Sequence, residues 1–174
     1  MNHLAISSGQ KHPSFQWAGI LIFLFLSFSS YSQDLKSVLK KAVTTPDSSD
    51  YYFGEGKKLI SKPEDQAEYD FAKNVFHTNS GNLDSCIYFG ERAFDFFEEK
   101  NDLLKQVYIL HYMGVAYRTA GQYEEAINRL FQAIPISQKL GDLTWQGWVL
   151  QGISLNYHDF GGYQKGVSFG KRAL

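Results

Sequence analysis

Apolar residues recur at helical spacing along most of the chain that follows residue 33. In the clearest stretch they lie three or four positions apart, at Val107, Leu110, Met113 and Tyr117. That spacing places them on one face of a helix. Gly121 follows, and glycine tolerates the left-handed backbone conformation that ends helices. The pattern therefore predicts helices that are separated by tight turns.

The same landmarks return at a constant interval of about 40 residues. Glycines, aspartates and alanines stand in register, at Gly81, Gly121, Gly161, Asp102, Asp142, Ala93, Ala133 and Ala173. A fixed period of this length is typical of solenoids, in which each supersecondary unit stacks on the next. We expect about four units, the first degenerate and the last truncated, over residues 34–61, 63–100, 102–140 and 142–174.

Each unit is predicted to contain two helices, which makes the fold all-α. In the third unit they cover about Leu103–Ala120 and Tyr123–Leu140. Asp102 precedes the first of these helices, where a carboxylate accepts hydrogen bonds from the free backbone N–H groups of the first turn. Pro135 lies inside the second helix and removes one helical hydrogen bond, so we expect a kink there.

The other units follow the same scheme with local differences. The helices of the first unit are predicted over 34–43 and 47–61, and the second unit begins near Pro63. Asn101 is expected to end the second unit as Gly141 ends the third.

Small residues indicate where two helices cross closely. Gly114, Ala126 and Ala133 lie at such positions, where a larger side chain would push the backbones apart. No unit can bury its apolar stripe alone, so each needs a neighbour. We expect Phe169 and Leu174, in the shorter last helix, to stay uncovered. On this view the chain is part of a longer protein, or it self-associates through the uncapped last unit.

The segment 1–32 has the layout of a secretory signal. An uncharged apolar run, Trp17–Phe28, is followed by small residues at Ser30 and Ser32. A membrane-spanning helix needs about 20 apolar residues, so the run is short for one, and an uncleaved anchor is the alternative. We expect cleavage after Ser32, a new N-terminus at Gln33, and export to the periplasm or the extracellular space.

Composition mainly excludes functions. The chain has 174 residues and a formal net charge of −1, so it lacks the basic excess of nucleic-acid-binding proteins. Its single cysteine, Cys86, excludes an internal disulfide and a multi-cysteine zinc site, and we expect a buried thiol. His77, His111 and His158 lack metal-binding spacing, and no catalytic motif is recognisable. We expect no enzymatic activity, no metal and no cofactor.

The third unit resembles the tetratricopeptide repeat (TPR). Its motif is Leu110-x-x-Met113-Gly114-x-x-Tyr117, followed by Gly121, Tyr123, Ala126 and Ala133. The fourth unit matches less well, the second weakly, and the first by register alone. The final proline of the family is missing, and the period of about 40 residues resembles that of a longer-helix variety. HEAT and armadillo repeats have similar periods but lack this series of residues.

The first helix of each TPR unit lines a concave groove, which suits an extended peptide or an amphipathic helix of another protein. The resemblance therefore implies that nine side chains face a groove, namely Glu68, Phe71, Thr78, Tyr108, His111, Arg118, Trp148, Gln151 and His158. The alternative for Phe71 and Trp148 is that they pack between units. A nucleic-acid partner is not expected.

Two functions are consistent with these features. The first is an exported TPR scaffold that binds proteins. A signal peptide followed by a long-period array also resembles the extracytoplasmic half of bacterial sensor histidine kinases and of TPR-linked transcription regulators. On that alternative the chain is the N-terminal sensor fragment of a membrane signalling protein. Contact with a membrane would then require a longer chain.

Overall fold

The computed structural model describes residues 34–173, which form helices joined by short turns and contain no strand. Residues 1–33 and Leu174 lie outside the described residues, and so does the predicted signal peptide with its cleavage site. Helix α1 covers residues 34–44, and a short 3-10 helix follows at Pro46–Ser48. The other helices are α2 (Ser49–Lys58), α3 (Pro63–Asn79), α4 (Leu83–Glu99), α5 (Leu103–Thr119), α6 (Tyr123–Leu140), α7 (Leu143–Asp159) and α8 (Tyr163–Arg172).

Backbone conformation confirms where the helices were expected to end. Within residues 34–173, left-handed φ values occur at Gly81 (72°), Asn101 (53°), Gly121 (75°), Gly141 (74°) and Gly161 (88°). Asparagine is among the few other residues that adopt this conformation readily, so Asn101 ends the second unit as predicted. The Asp102 side chain accepts a hydrogen bond from the Lys105 backbone N–H at 3.1 Å, and Asp142 caps α7 in the same way.

Three buried apolar clusters hold the units together, and the buried residues of each come from three consecutive helices. Their central residues are Phe53 and Tyr69 in the first, Cys86 and Met113 in the second, and Leu130 and Ile153 in the third. Each cluster needs the first helix of the following unit, so no unit buries its stripe alone. The fold is therefore the expected all-α solenoid of helical hairpins.

The close helix crossing expected at Gly114 is also present. A Cβ atom at this position would lie 2.9 Å from Cγ of Leu130 and 3.4 Å from the carbonyl oxygen of Ala126. Ala126 and Ala133 have no exposed surface. Helices α5 and α6 can therefore approach this closely only because residue 114 has no side chain.

Matching hydrogen bonds join successive units. Gln106 Nε2 donates to the carbonyl oxygen of Phe97 at 3.0 Å. Gln146 occupies the equivalent position of the next unit, and its Nε2 donates to the carbonyl oxygen of Ser137 at 3.4 Å. Both bonds connect the start of one unit to the end of the unit before it. The unit boundary is thus built in the same way twice.

The structure corrects the prediction for the last helix. Phe169 is not uncovered, because its ring stacks on Tyr157 at 5.8 Å and meets Phe131 at 5.7 Å. It belongs to the stripe of α8 that faces inwards, together with glycines 166 and 170, which lie against Ser154. Other apolar side chains of this unit are more exposed, among them Leu143 at 80% and Val167 at 58%.

One helix differs in detail from its predicted form. Helix α2 is shorter than predicted, because the 3-10 helix precedes it and Lys58 is its last residue. Helix α6 runs from Tyr123 to Leu140 with Pro135 inside it, and the kink expected there stays a prediction.

Candidate binding site on the inner helices

The first helices of the units lie side by side. Helix α3 packs against α5, and α5 packs against α7. Helix α1 joins α3 through the first apolar cluster. We call the surface that α1, α3, α5 and α7 present together the inner face. Two of the clefts on it lie between neighbouring inner helices, a larger one between α1, α3 and α5 and a smaller one between α5 and α7.

A row of aromatic side chains connects the two clefts. Phe71 of α3 stacks on Tyr108 of α5, with ring centroids 6.1 Å apart, and Tyr108 meets the edge of Trp145 of α7 at 4.2 Å. The centroid of the His111 ring lies 5.6 Å from that of Trp145 and 6.5 Å from that of Trp148. These rings have few rotatable bonds, so the row forms a stiff apolar surface across three helices.

The larger cleft has a volume of about 670 Å³. Helix α1 contributes Lys36, Leu39, Lys40 and Val43 to its lining. Phe71, Val75 and Tyr112 from α3 and α5 also line it. The cleft therefore combines a largely apolar surface with cationic groups from α1.

The lysines of the larger cleft differ in their partners. Lys105 Nζ lies 2.7 Å from Glu68 Oε2 and 4.1 Å from the centroid of the Phe71 ring. The side chains of Lys105 and Glu68 are only 21% and 16% exposed, and their opposite charges largely cancel. Lys36 and Lys40 are exposed, one turn apart on α1, and form no ion pair with another described residue. The cleft thus keeps two uncompensated positive charges.

The smaller cleft has a volume of about 170 Å³ and is lined by His111, Arg118, Trp148 and Gln151. Arg118 Nε donates a hydrogen bond to Asp159 Oδ2 at 2.8 Å, which joins α5 to the end of α7. The hydrogen bond from Arg118 is the main cause of the lowered pKa of Asp159. The Arg118 charge is therefore compensated within the protein.

Two buried polar atoms beside the smaller cleft have no hydrogen-bond partner among the described residues. Asn156 is 1% exposed, and its Nδ2 donates to the carbonyl oxygen of Gly152 at 2.8 Å, while its Oδ1 is unpaired. His111 Nδ1 is also unpaired. Burial lowers the pKa of His111 below its ordinary value of 6.5, so its ring is neutral at pH 7.

Seven of the nine predicted groove residues line the two clefts. Those in the larger cleft are Glu68, Phe71 and Tyr108, and those in the smaller cleft are His111, Arg118, Trp148 and Gln151. Phe71 packs against its neighbours and still lines the cleft, whereas Trp148 is 50% exposed. His158 is exposed and lines neither cleft.

The prediction for Thr78 is wrong. This residue is 6% exposed, its Oγ1 donates to the carbonyl oxygen of Asn74 at 2.9 Å, and it lies 3.1 Å from Cys86 Sγ. Residues 74 and 78 form the face of α3 next to the one that carries Phe71 and Val75. Helix α4 covers that neighbouring face, so Thr78 is not available to a ligand.

The contribution of α1 was not predicted. Four of the five α1 residues that line the larger cleft have the spacing 36, 39, 40 and 43, and residues 68, 71, 72 and 75 of α3 repeat this spacing. The sequence does contain this pattern, because Lys36 and Glu68 are 32 residues apart and so are Leu39 and Phe71. This offset is shorter than the period that relates the later units, so that period did not reveal it.

Other chemistry on the described residues is limited. Cys86 has no exposed surface, as predicted, and burial raises the pKa of its thiol although a hydrogen bond with Thr78 opposes the shift. Within residues 34–173, no group of three or more histidine, cysteine or acidic side chains could hold a metal ion. None of the helices in this range has the length and apolar character to cross a membrane.

The sequence matches no model of a known protein family and no curated protein. The case for a function therefore rests on the two clefts and on the side chains that line them.

Proposed function

We propose that this chain is an exported TPR-type scaffold that binds a segment of another protein along its inner face. The observation that carries the proposal is the pair of clefts connected by the aromatic row from Phe71 to Trp148. A protein segment can place one side chain in each cleft and lay the chain between them across the aromatic rings.

The sizes of the clefts favour a segment of protein over a single small molecule. Binding pockets for drug-sized molecules have volumes of about 300–1,000 Å³. The smaller cleft, at about 170 Å³, is below that range and is large enough for one side chain. The two clefts lie on opposite sides of α5, so a ligand that fills both must extend across this helix.

The inner face is also held in place before a ligand arrives. The Glu68–Lys105 pair connects α3 to α5, and the Arg118–Asp159 pair connects α5 to α7. A preorganised surface binds more tightly, because less conformational entropy is lost on association.

Export is proposed on the pattern of residues 1–32, an uncharged run followed by small residues. Mass spectrometry of secreted or periplasmic material should show an N-terminus at Gln33. An intact Met1 on membrane-bound material would contradict cleavage.

Selection of random dodecapeptides on the purified chain tests the binding function. We expect a peptide family whose affinity, measured by fluorescence anisotropy, falls about tenfold or more on Trp148→Ala, because tryptophan is enriched among the few residues that carry most of the binding energy of an interface. Tyr51→Ala is the matched control, since Tyr51 is 66% exposed on α2 and lines neither cleft.

Selection of no peptide above background would contradict the proposal. Equal losses of affinity for Trp148→Ala and Tyr51→Ala would show that binding does not involve the inner face.

A further inference from the structure

The two clefts of the inner face differ in charge. In the smaller cleft Arg118 is compensated by Asp159. In the larger cleft Lys105 is compensated by Glu68, but Lys36 and Lys40 have no acidic partner among the described residues. The larger cleft therefore has a net positive rim above an apolar floor.

We propose that the larger cleft selects an acidic amphipathic protein segment, with apolar side chains on the floor and carboxylates at Lys36 and Lys40. This inference rests on the proposed function and adds the chemical class of the ligand. It makes α1 the element that determines specificity, although α1 belongs to the most degenerate unit.

The floor of the cleft suits aliphatic or aromatic side chains. Leu39 and Ala72 are 5% and 7% exposed, and Val43, Phe71 and Val75 around them are half-buried. An apolar group placed here would lose contact with water on several sides, and such burial is the main source of binding energy at an apolar surface.

The lysine spacing suits carboxylates on one short segment. Side chains four residues apart on a helix are neighbours, with Cβ atoms about 5–6 Å apart. Two carboxylates one turn apart on a helix, or two positions apart on an extended chain, have a similar separation. Lys36 and Lys40 can therefore contact two acidic side chains of the same ligand at once.

A nucleic acid fits the cleft less well. Phosphate backbones are bound by series of cations that neutralise several charges in succession. Here a carboxylate, Glu68, lies inside the cleft and already neutralises Lys105. The apolar floor also offers few hydrogen bonds to a sugar–phosphate chain.

The test uses the full chain and the same dodecapeptide selection. We expect the recovered peptides to combine acidic with aromatic or aliphatic residues. For one such peptide, the double variant Lys36→Gln/Lys40→Gln should bind about tenfold more weakly. Raising the salt concentration from about 50 to about 500 mM should weaken binding to the original chain and have little effect on the double variant, since salt screens exposed charges.

Lys57→Gln/Lys171→Gln is the matched control. Both lysines are exposed and lie outside the clefts, so the control removes the same charge from the protein and should leave the affinity unchanged. Circular dichroism of each variant verifies that the helices are intact.

The outcomes separate the two proposals. Recovery of neutral or basic peptides that bind the inner face, or equal losses in both double variants, would overturn the acidic preference and leave the binding function standing. Recovery of no peptide would overturn the binding function itself. A further outcome is that a single-stranded oligonucleotide displaces the peptide from the original chain but not from the Lys36→Gln/Lys40→Gln variant. That result would identify a nucleic acid as the ligand and would also overturn this inference.

Discussion

Where α3 crosses α4, the larger residue is Asn74 on the first helix and the smaller is Gly90 on the second. A Cβ atom at Gly90 would lie 2.7 Å from Asn74 Nδ2. At the equivalent positions of the next unit, the first helix has Gly114 and the second has Leu130. A Cβ atom at Gly114 would lie 2.9 Å from Leu130 Cγ. The same crossing thus pairs one large and one small residue in both units, with the two roles exchanged.

The second crossing contains a polar side chain, Asn74, whereas Gly114 and Leu130 at the third crossing are apolar. Asn74 Nδ2 donates to the carbonyl oxygen of Cys86 at 3.0 Å, while Oδ1 of the same amide has no partner among the described residues. In the last unit Ser154 Oγ makes the corresponding bond to the carbonyl oxygen of Gly166 at 2.7 Å. The crossing therefore requires complementary volumes, because close-packed interiors leave no room for two large residues. It does not require a particular polarity.

Gly114→Leu is the strongest way to break the third crossing. We expect the free energy of unfolding to fall by about 3 kcal/mol, the upper part of the usual range for overpacked cores. Urea unfolding followed by circular dichroism measures the change. Gly54→Leu is the control, because no atom lies within 4 Å of a Cβ there, and the better helix former should stabilise the chain by up to about 1 kcal/mol. Equal effects at both sites would contradict the close crossing.

Exchanging the two residues tests whether the second and third crossings are equivalent. The double variant Gly114→Asn/Leu130→Gly gives the third unit the asparagine–glycine pair that the second unit has at Asn74 and Gly90. We expect the double variant to lose about 1–3 kcal/mol less free energy of unfolding than the two single variants lose together. The glycine at position 130 makes room for the asparagine at position 114, which in turn fills the space that the leucine leaves. Additive losses in a double-mutant cycle would show that the pairs are not equivalent. The reverse exchange is less informative, since Met113 Sδ would also lie 2.9 Å from a Cβ at Gly90.

The smallest expected effect concerns the histidines of the two units. Burial lowers the pKa of both His77 and His111 below 6.5, and at His77 the Lys73 cation adds to the shift while Asp50 opposes it. The unfolded chain therefore takes up protons first as the pH falls. Stability should be present above pH 6.5 and decline as the pH falls below it.

Urea unfolding at a series of pH values measures this decline. In His77→Gln the remaining dependence comes from His111 and should be insensitive to salt, because burial is its only cause. In His111→Gln the remaining dependence should change with salt, which screens Lys73 and Asp50. An unchanged slope in both buried-site variants would contradict the assignment.

Most helix boundaries outside α2 were predictable, because each depends on a local signal. Gly121 and Gly141 end helices through their own backbone conformation, and Asp102 and Asp142 begin them through their own carboxylates. Such effects act within one turn and do not depend on the rest of the fold.

The faces of the helices were predicted less well, because they depend on how the helices cross. Thr78 and Val75 are three residues apart on α3, and only the position of α4 decides that one is buried and the other lines a cleft. Lys36 and Lys40 were missed because the first unit departs from the period of the later units. Phe169 was placed on the wrong side for the same reason as Thr78, since its surroundings on α6 and α7 are remote in sequence.

The repeated unit boundary has a consequence for the gene. An in-frame deletion of residues 103–142 would join Asp102 to Leu143 and so keep the aspartate–leucine junction that begins α5 and α7. Gln146 would then stand at the same distance along the chain from Phe97 as Gln106 does now. Recombination between homologous segments can therefore remove or add a whole unit while both the cap and the junction bond survive. Because such an event also removes or adds a strip of the inner face, the length of the array and the ligand it recognises can change in a single genetic step.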